Sequence, residues 1–259
     1  MITAGIDVGS RTTKAVIWDG THVIGRSLIA TGWTPDRSAE AAFQQALHDA
    51  ELSGVSRIVA TGYGRVTTPF ADKTVTEITA HARGVASLLP EIHTLIDIGG
   101  QDSKVVIVEN GGLVMDFAMN DRCAAGSGKF LEFLAASMQL SIDEFAELAY
   151  SSENPLQISS ICTVFAESEI LSLLAEGAVQ AEVAAGVHRA IALRVGQLAA
   201  SLHPQPPVGF TGGVARNRCL VRELSRVMGF ELKVPDAPEF TGALGAAIIA
   251  TEQLSSEPR

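Results

Sequence analysis

The chain has 259 residues, 47% of them hydrophobic, which is enough to bury one large or two modest cores and too apolar for a disordered chain. Its net charge of −10 argues against a nucleic-acid partner, because phosphate backbones are bound by cationic surfaces. No apolar run approaches the roughly 20 residues of a membrane span, the opening MITAGIDVGS reads as a strand and not as a leader, and three cysteines do not make a disulfide framework, so a cytoplasmic protein that meets no membrane is expected.

The N-terminal stretch sets up a first candidate site. Residues 2–8 predict a strand carrying a carboxylate, Asp7, near its end, and Gly9 permits a tight turn that a Cβ would hinder. Ser10, Thr12 and Thr13 offer hydroxyls and backbone N–H groups to an anion, and Lys14 adds a positive charge. Residues 15–18 read as the returning strand, Asp19-Gly20 as a hairpin turn and residues 23–30 as a third strand. A phosphate held in the 9–14 turn would leave Asp7 placed to hold Mg²⁺ through water; a plain hairpin with a polar turn accounts for the same residues equally well. Residues 36–51 have the spacing of an amphipathic helix, 57–61 form a short apolar strand, Gly62-Tyr63-Gly64-Arg65 is a glycine loop, and 78–89 predict a helix stopped by Pro90. His81, a lone histidine in that helix, reads as a packed or surface residue.

The opening is then repeated. Residues 5–14 and 95–104 both fit apolar-Asp-apolar-Gly-x-x-x-x-Lys, and both run into a strand and a turn, the second turn being Asn110-Gly111-Gly112. Two such loops point to duplicated halves facing one another across a cleft. Phosphates would be clamped between the turns, with Gly99, Gly100 and Lys104 matching Gly9 and Lys14, and with Asp7 and Asp97 both beside the metal. Gln101 and Asp102 are the polar groups best placed to orient an attacking water. A third glycine element, residues 208–217, runs from an apolar strand through Gly212-Gly213-Val214 to a helix start near Asn217, where a bare backbone could approach a flat ring or a ribose. Residues 241–248 open the last helix with small side chains suited to close packing at a hinge.

These features together resemble the acetate and sugar kinase, Hsp70 and actin superfamily over the whole chain. The resemblance implies an α/β protein of two ribonuclease-H-like domains with ATP and Mg²⁺ between them. The first would span residues 1–92 completed by the C-terminal segment 243–259, and the second residues 93–242. One decoy is set aside: residues 124–130, AAGSGKF, imitate a phosphate loop, but the pattern needs Gly where Cys123 stands and Ser or Thr where Phe130 stands.

Two cysteines remain. Cys123 precedes a helix pattern over 124–138, and Cys162 precedes another over 163–175; a thiol at a helix start exists more readily as thiolate. Two thiolates are half of what a [4Fe–4S] cluster usually takes, and a symmetric dimer would supply the other half. Two inert buried cysteines, or a disulfide, are the alternatives; Cys219 reads as a structural thiol. The stretches NDRCAAGSG at 120–128 and CTVFAESE at 162–169, with ATGYGR at 60–65, IDIGGQD at 96–102 and TGGVA at 211–215, resemble the activators of 2-hydroxyacyl-CoA dehydratases. The resemblance implies a homodimer that shares one [4Fe–4S] cluster through Cys123 and Cys162 of each chain. It implies an electron supplied by ferredoxin or flavodoxin and passed on, with ATP hydrolysis to ADP, to a partner iron–sulfur enzyme. Reduction of a double-cubane protein, or service as the ATPase subunit of benzoyl-CoA reductase, are variants of that role. A small-molecule kinase of the same fold is the alternative of a different class: it explains the phosphate loops and leaves the cysteines without a purpose.

Overall fold

The computed structural model describes residues 1–159 and 162–256. Ser160 and Ile161, just before Cys162, and residues 257–259, the end of the segment expected to complete the first domain, lie outside the described residues.

Strand β1 (Thr3–Val8) is buried along its whole length, as a central strand covered on both faces must be. It pairs antiparallel with β2 (Thr12–Trp18), which pairs with β3 (Val23–Ala30). Helix α1 (Pro35–Asp49) starts on a proline, whose fixed φ suits the first turn, and buries Ala39, Ala42, Phe43, Ala46 and Leu47 along one face. Strand β4 (Arg57–Thr61) runs parallel to β1 on its other side, and the short β5 (Lys73–Thr74) closes the sheet in the order β3-β2-β1-β4-β5. Helix α2 (Glu77–Leu88), capped by the Thr76 hydroxyl, leads out of this half.

The second half repeats the plan. Strands β6 (Thr94–Ile98), β7 (Ser103–Glu109) and β8 (Leu113–Asn120) form an antiparallel meander. Helices α3 (Gly128–Ser137), α4 (Ile142–Tyr150), α5 (Thr163–Ala175) and α6 (Gln180–Ala200) follow, and then β9 (Val208–Thr211) lies parallel to β6. Helix α7 (Arg218–Met228), β10 (Leu232–Lys233) and α8 (Thr241–Ser256) complete the chain, and this sheet has the order β10-β9-β6-β7-β8. In each sheet the central strand therefore has an antiparallel hairpin partner on one side and a parallel strand on the other.

The layers follow from which face each residue takes. Ala4, Ile6 and Val8 pack against α1, whereas Val16 and Val59 pack against α8. Leu95 and Val106 pack with Val85 of α2, whereas Ile96, Ile98 and Val105 join the large core formed with α3, α4, α6 and α7. Helices α8 and α2 thus lie back to back between the two sheets, one belonging to each. Their backbones touch: a Cβ on Gly245 would overlap the carbonyl oxygen of Ala80, and one on Gly84 that of Thr241.

Most expected elements are found within one or two residues of their forecast ends. The helix expected from Ala124 starts instead at Gly128, and Cys123 lies in the loop before it. The reason is local: Gly126 takes a positive φ of 96°, and the first helical N–H groups, of Gly128 and Lys129, are used by the carbonyls of Gly99 and Gly100 at 2.9 and 2.8 Å. Helices α4 and α6 were not foreseen, although Ser141 and Glu144 form a capping box legible as Ser-x-x-Glu.

Because Gly245 sits where two backbones touch, Gly245→Ala is expected to cost at least about 1–3 kcal/mol, the usual range for overpacking. Urea unfolding would show it, whereas an exposed glycine with open space around it, Gly54, should accept alanine with little change.

Candidate nucleotide site

The two sheets present the same constellation to one cavity of about 480 Å³. In the first, Asp7 stands opposite Lys14 of the hairpin partner and opposite Thr61 of the parallel strand. In the second, Asp97 stands opposite Lys104 and Thr211. Lys14 Nζ lies 3.2 Å from Asp7 Oδ2, and Lys104 Nζ 3.3 Å from Asp97 Oδ2. Each threonine is followed by a glycine with φ near +90°, Gly62 at 87° and Gly212 at 86°, so that bare backbone lies against the carboxylate where a Cβ would collide with it. The repeat therefore extends to Thr61-Gly62 and Thr211-Gly212, beyond the Asp-to-Lys stretch seen in the sequence.

The two floors differ in how fully they are tied. Thr211 Oγ1 donates to Asp97 Oδ1 at 3.1 Å, whereas Thr61 Oγ1, its counterpart, is buried with no hydrogen-bond partner among the described residues. Lys104 is almost wholly buried and also meets Asp102 at 2.6 Å and Glu77 at 3.6 Å. Burial alone would raise the Asp97 carboxyl; His81, Lys104 and Thr211 outweigh it and hold the group below its ordinary value. Burial would likewise lower Lys104, but Asp97, Asp102 and Glu77 raise it. Glu77 is pushed upward by burial, with Lys104 only partly opposing.

His81 is packed, one of the two expectations for it, and it also lines the cavity. It is buried at the cavity floor, with Nδ1 3.2 Å from Asp97 Oδ1 and 3.1 Å from Thr241 Oγ1. The opposite ring nitrogen and Asp7 Oδ2 both border Gly242, where a Cβ would come within 2.8 and 3.3 Å of them. One residue of α2 thus touches Asp97 of the second sheet, the start of α8 and the neighbourhood of Asp7. A histidine within a helix pattern carries no sequence signal of this.

Of the expected site residues, Asp7, Gly9, Ser10, Thr12, Lys14, Asp97, Gly99, Gly100, Asp102, Lys104, Gly212, Gly213, Val214 and Asn217 line the cavity. Two do not. The Thr13 side chain is fully buried and its hydroxyl pairs with Thr31 at 2.9 Å, because alternation along β2 turns it away from the turn's mouth. Gln101 is exposed and outside the lining. The far wall comes from α4, through Ile142, Asp143, Ala146 and Glu147, which sequence reasoning missed together with the helix. Asn217 is fixed from behind: its Nδ2 donates to His188 Nε2 at 2.8 Å while its Oδ1 caps α7 at Leu220 N. His188 Nδ1 then donates to the Ala184 carbonyl at 2.7 Å.

Neither Cys123 nor Cys162 lines the cavity, and both are free thiols. Cys123 is half-buried in a loop held by Asn120, whose Nδ2 donates to the carbonyls of Cys123 and Ala125 at 3.0 and 2.9 Å. Cys162 is exposed and caps α5 through its backbone, its sulfur making no cap hydrogen bond. Ser137 of α3 donates to Glu167 of α5 at 2.8 Å, so the segments that carry the two thiols are joined. Cys219 is buried, and burial pushes its thiol up to about 11 against the opposing charge of Arg222, as suits an inert structural thiol. Among the described residues no group of three or more His, Cys, Asp or Glu could hold a metal ion within one chain.

Two outcomes follow. Lys104→Met leaves Asp97, Asp102 and Glu77 without the lysine they share and is expected to destabilise the fold by about 3–5 kcal/mol in urea unfolding. His188 is held at about 4, below its ordinary 6.5, chiefly by burial, with the Ala184 and Glu223 contacts opposing. The unfolded chain therefore takes up a proton below pH 6.5 that the folded chain refuses until about pH 4. Stability from this residue is complete above pH 6.5 and is lost as pH falls towards 4, on the order of 3 kcal/mol in all; His188→Gln should flatten that part of the stability profile.

The chain is 42% identical to the 2-hydroxyisocaproyl-CoA dehydratase activator of Clostridioides difficile over 98% of its own length and 96% of the relative's. The solved structure of the Clostridium difficile activator with bound ADPNP superposes with a TM-score of 0.93 at 40% identity, covering 100% of this chain and 99% of that one. Component A of the (R)-2-hydroxyglutaryl-CoA dehydratase of Acidaminococcus fermentans superposes at 0.95, also 40% identical, over 99% of this chain and 100% of that one. The fold is the two-domain ATPase fold expected from the paired loops. With its family model matched over residues 4–250, the chain belongs to the BadF/BadG/BcrA/BcrD ATPase family.

Proposed function

We propose that this protein is an ATP-hydrolysing activator that delivers a low-potential electron to a partner iron–sulfur enzyme of the 2-hydroxyacyl-CoA dehydratase kind. The observation that carries the proposal is the doubled Asp, Lys, Thr-Gly constellation facing one cavity, with a thiol-bearing loop attached to its wall through Gly99 and Gly100. A relative that carries the name of an activator and a superposable structure that holds ADPNP support it.

The residues present fit the groups the role requires. Asp7 and Asp97 offer hard carboxylate oxygens from opposite floors, suited to a hydrated Mg²⁺. The turns at 9–14 and 99–104 offer N–H groups and hydroxyls to phosphates, and Gly212, Gly213 and Val214 give the nucleoside a low, apolar floor. Asp102 lines the cavity and is braced by Lys104, so it is the residue we assign to orient the attacking water, in place of Gln101. Cys123 and Cys162 supply two thiolates per chain, and two chains in a homodimer complete four for one [4Fe–4S] cluster. When bound, that cluster supplies the electron, loaded from ferredoxin or flavodoxin in the cytoplasm. Because α2 packs on the second sheet, we assign residues 1–76 with α8 to one domain and residues 77–240 to the other, in place of the boundary expected at residue 92, and the back-to-back packing of α2 on α8 is their hinge. Helix α3 is tied to the second phosphate turn through the hydrogen bonds of Gly128 and Lys129.

Anaerobic purification or reconstitution is expected to yield about four irons per two chains, with the absorption of a [4Fe–4S] cluster. Cys123→Ser and Cys162→Ser should each abolish iron uptake and leave nucleotide binding in place. A chain that takes up no iron after anaerobic reconstitution would overturn the proposal.

A further inference from the structure

Among the described residues, five lysines and arginines line the cavity: Arg11, Lys14, Lys104, Arg216 and Arg218. Lys14 and Lys104 are held by the buried Asp7 and Asp97, Arg216 by the nearly buried Glu239 at 2.6 Å, and Arg218 lies over the ring of Tyr150, 4.5 Å from its centroid. Arg11 differs from them. It sits inside the first phosphate turn, between Ser10 and Thr12, and its stem lies across Gly100 of the second turn so closely that a Cβ on Gly100 would overlap Arg11 Cγ. Its guanidinium crosses to the other half of the molecule and forks onto Glu132 of α3, Nη2 to Oε2 at 2.6 Å and Nε to Oε1 at 3.4 Å. Both side chains are largely open to water, 46% and 38% exposed, so the pair is weak and readily exchanged.

We propose that Arg11 senses the nucleotide's terminal phosphate by trading Glu132 for it, and so releases or holds α3 according to whether a triphosphate or a diphosphate is bound. One point of chemistry and two observations converge. A terminal phosphate offers a guanidinium the same two-oxygen acceptor edge as a carboxylate and carries more charge, so it outcompetes Glu132 once it lies in the turn. Helix α3 has two attachments to the phosphate turns. The first, from Gly128 and Lys129 to Gly99 and Gly100, lies within one half and persists when the cleft moves. The second, Arg11 to Glu132, crosses between the halves and is the exchangeable one. Lastly, α3 directly follows the Cys123 loop, so a change in what restrains the helix is felt at that thiol. Arg11 is thus a positioning residue that confers preference for triphosphate.

This rests on the cleft being the nucleotide site, and the test separates the two. Dissociation constants for ADP and for a non-hydrolysable ATP analogue, each with Mg²⁺, are measured on the full chain together with amide hydrogen exchange of residues 128–137. Arg11→Gln is expected to lower the preference for the triphosphate over the diphosphate about tenfold, the scale of one charge-assisted contact. Glu132→Gln is expected to tighten the triphosphate about threefold and leave ADP unchanged, because the competing carboxylate is gone. The triphosphate should alter exchange in 128–137 of the natural chain and fail to do so in Arg11→Gln. Equal weakening of both nucleotides by Arg11→Gln, or no gain with Glu132→Gln, overturns the inference while the cleft stays a nucleotide site. Absence of saturable binding of either nucleotide to the natural chain overturns both.

Discussion

The structure turns on charge buried at two strand ends. Asp7 and Asp97 are 4% and 2% exposed, and an ionised carboxylate so placed is costly unless it is paired. Each is paired by a lysine directly across its hairpin, and the pairing sets the register of the central strand, since a slip by one residue would turn the carboxylate to the opposite face. Pairing also has a chemical consequence. Lys14 and Lys104 thus reach the cavity each with a carboxylate already beside it.

A second constraint is the contact of α2 with α8. Small residues let the two backbones touch, so each sheet is covered by its own helix and the two helices still form one unit. His81 stands at this crossing and ties α2 to Asp97 and to Thr241. A hinge at this crossing would share His81 with the carboxylate at the cavity floor. The cleft and its proposed hinge are therefore one mechanical object. The Cys123 loop is fastened to it at one end by Asn120, which ends β8, and at the other by the N–H groups that open α3.

Much of this was legible in the residues. Alternation and turn chemistry placed the two hairpins, and the repeated Asp-to-Lys spacing exposed the duplication before any coordinates. The reading failed where the governing contact is distant. Thr13 looked like a phosphate ligand because hydroxyls in a turn usually are; alternation in β2 and the nearby Thr31 turned it inward. Gln101 looked as well placed as Asp102, yet only Asp102 has Lys104 to hold it beside the cavity. Ala124 looked like a helix start until Gly126 adopted a left-handed φ and postponed the helix to Gly128. Helix α4, which builds a whole wall of the cavity, passed unnoticed in spite of its Ser-x-x-Glu cap.

The sequence by itself determined most of the strands and turns, the repeated spacing of an aspartate from a following lysine and the presence of two thiols outside any disulfide pattern, because those signals are local in the chain; that each lysine pairs with its aspartate came from the structure. Only the tertiary structure decided that Thr61-Gly62 and Thr211-Gly212 are one motif used twice and that Arg11 reaches Glu132 across 121 positions. The same holds for an unremarkable helical histidine that meets Thr241 across 160 positions. Such contacts exist only after the sheets have packed, since nothing in the local chain favours either partner until burial brings their charges and backbones together.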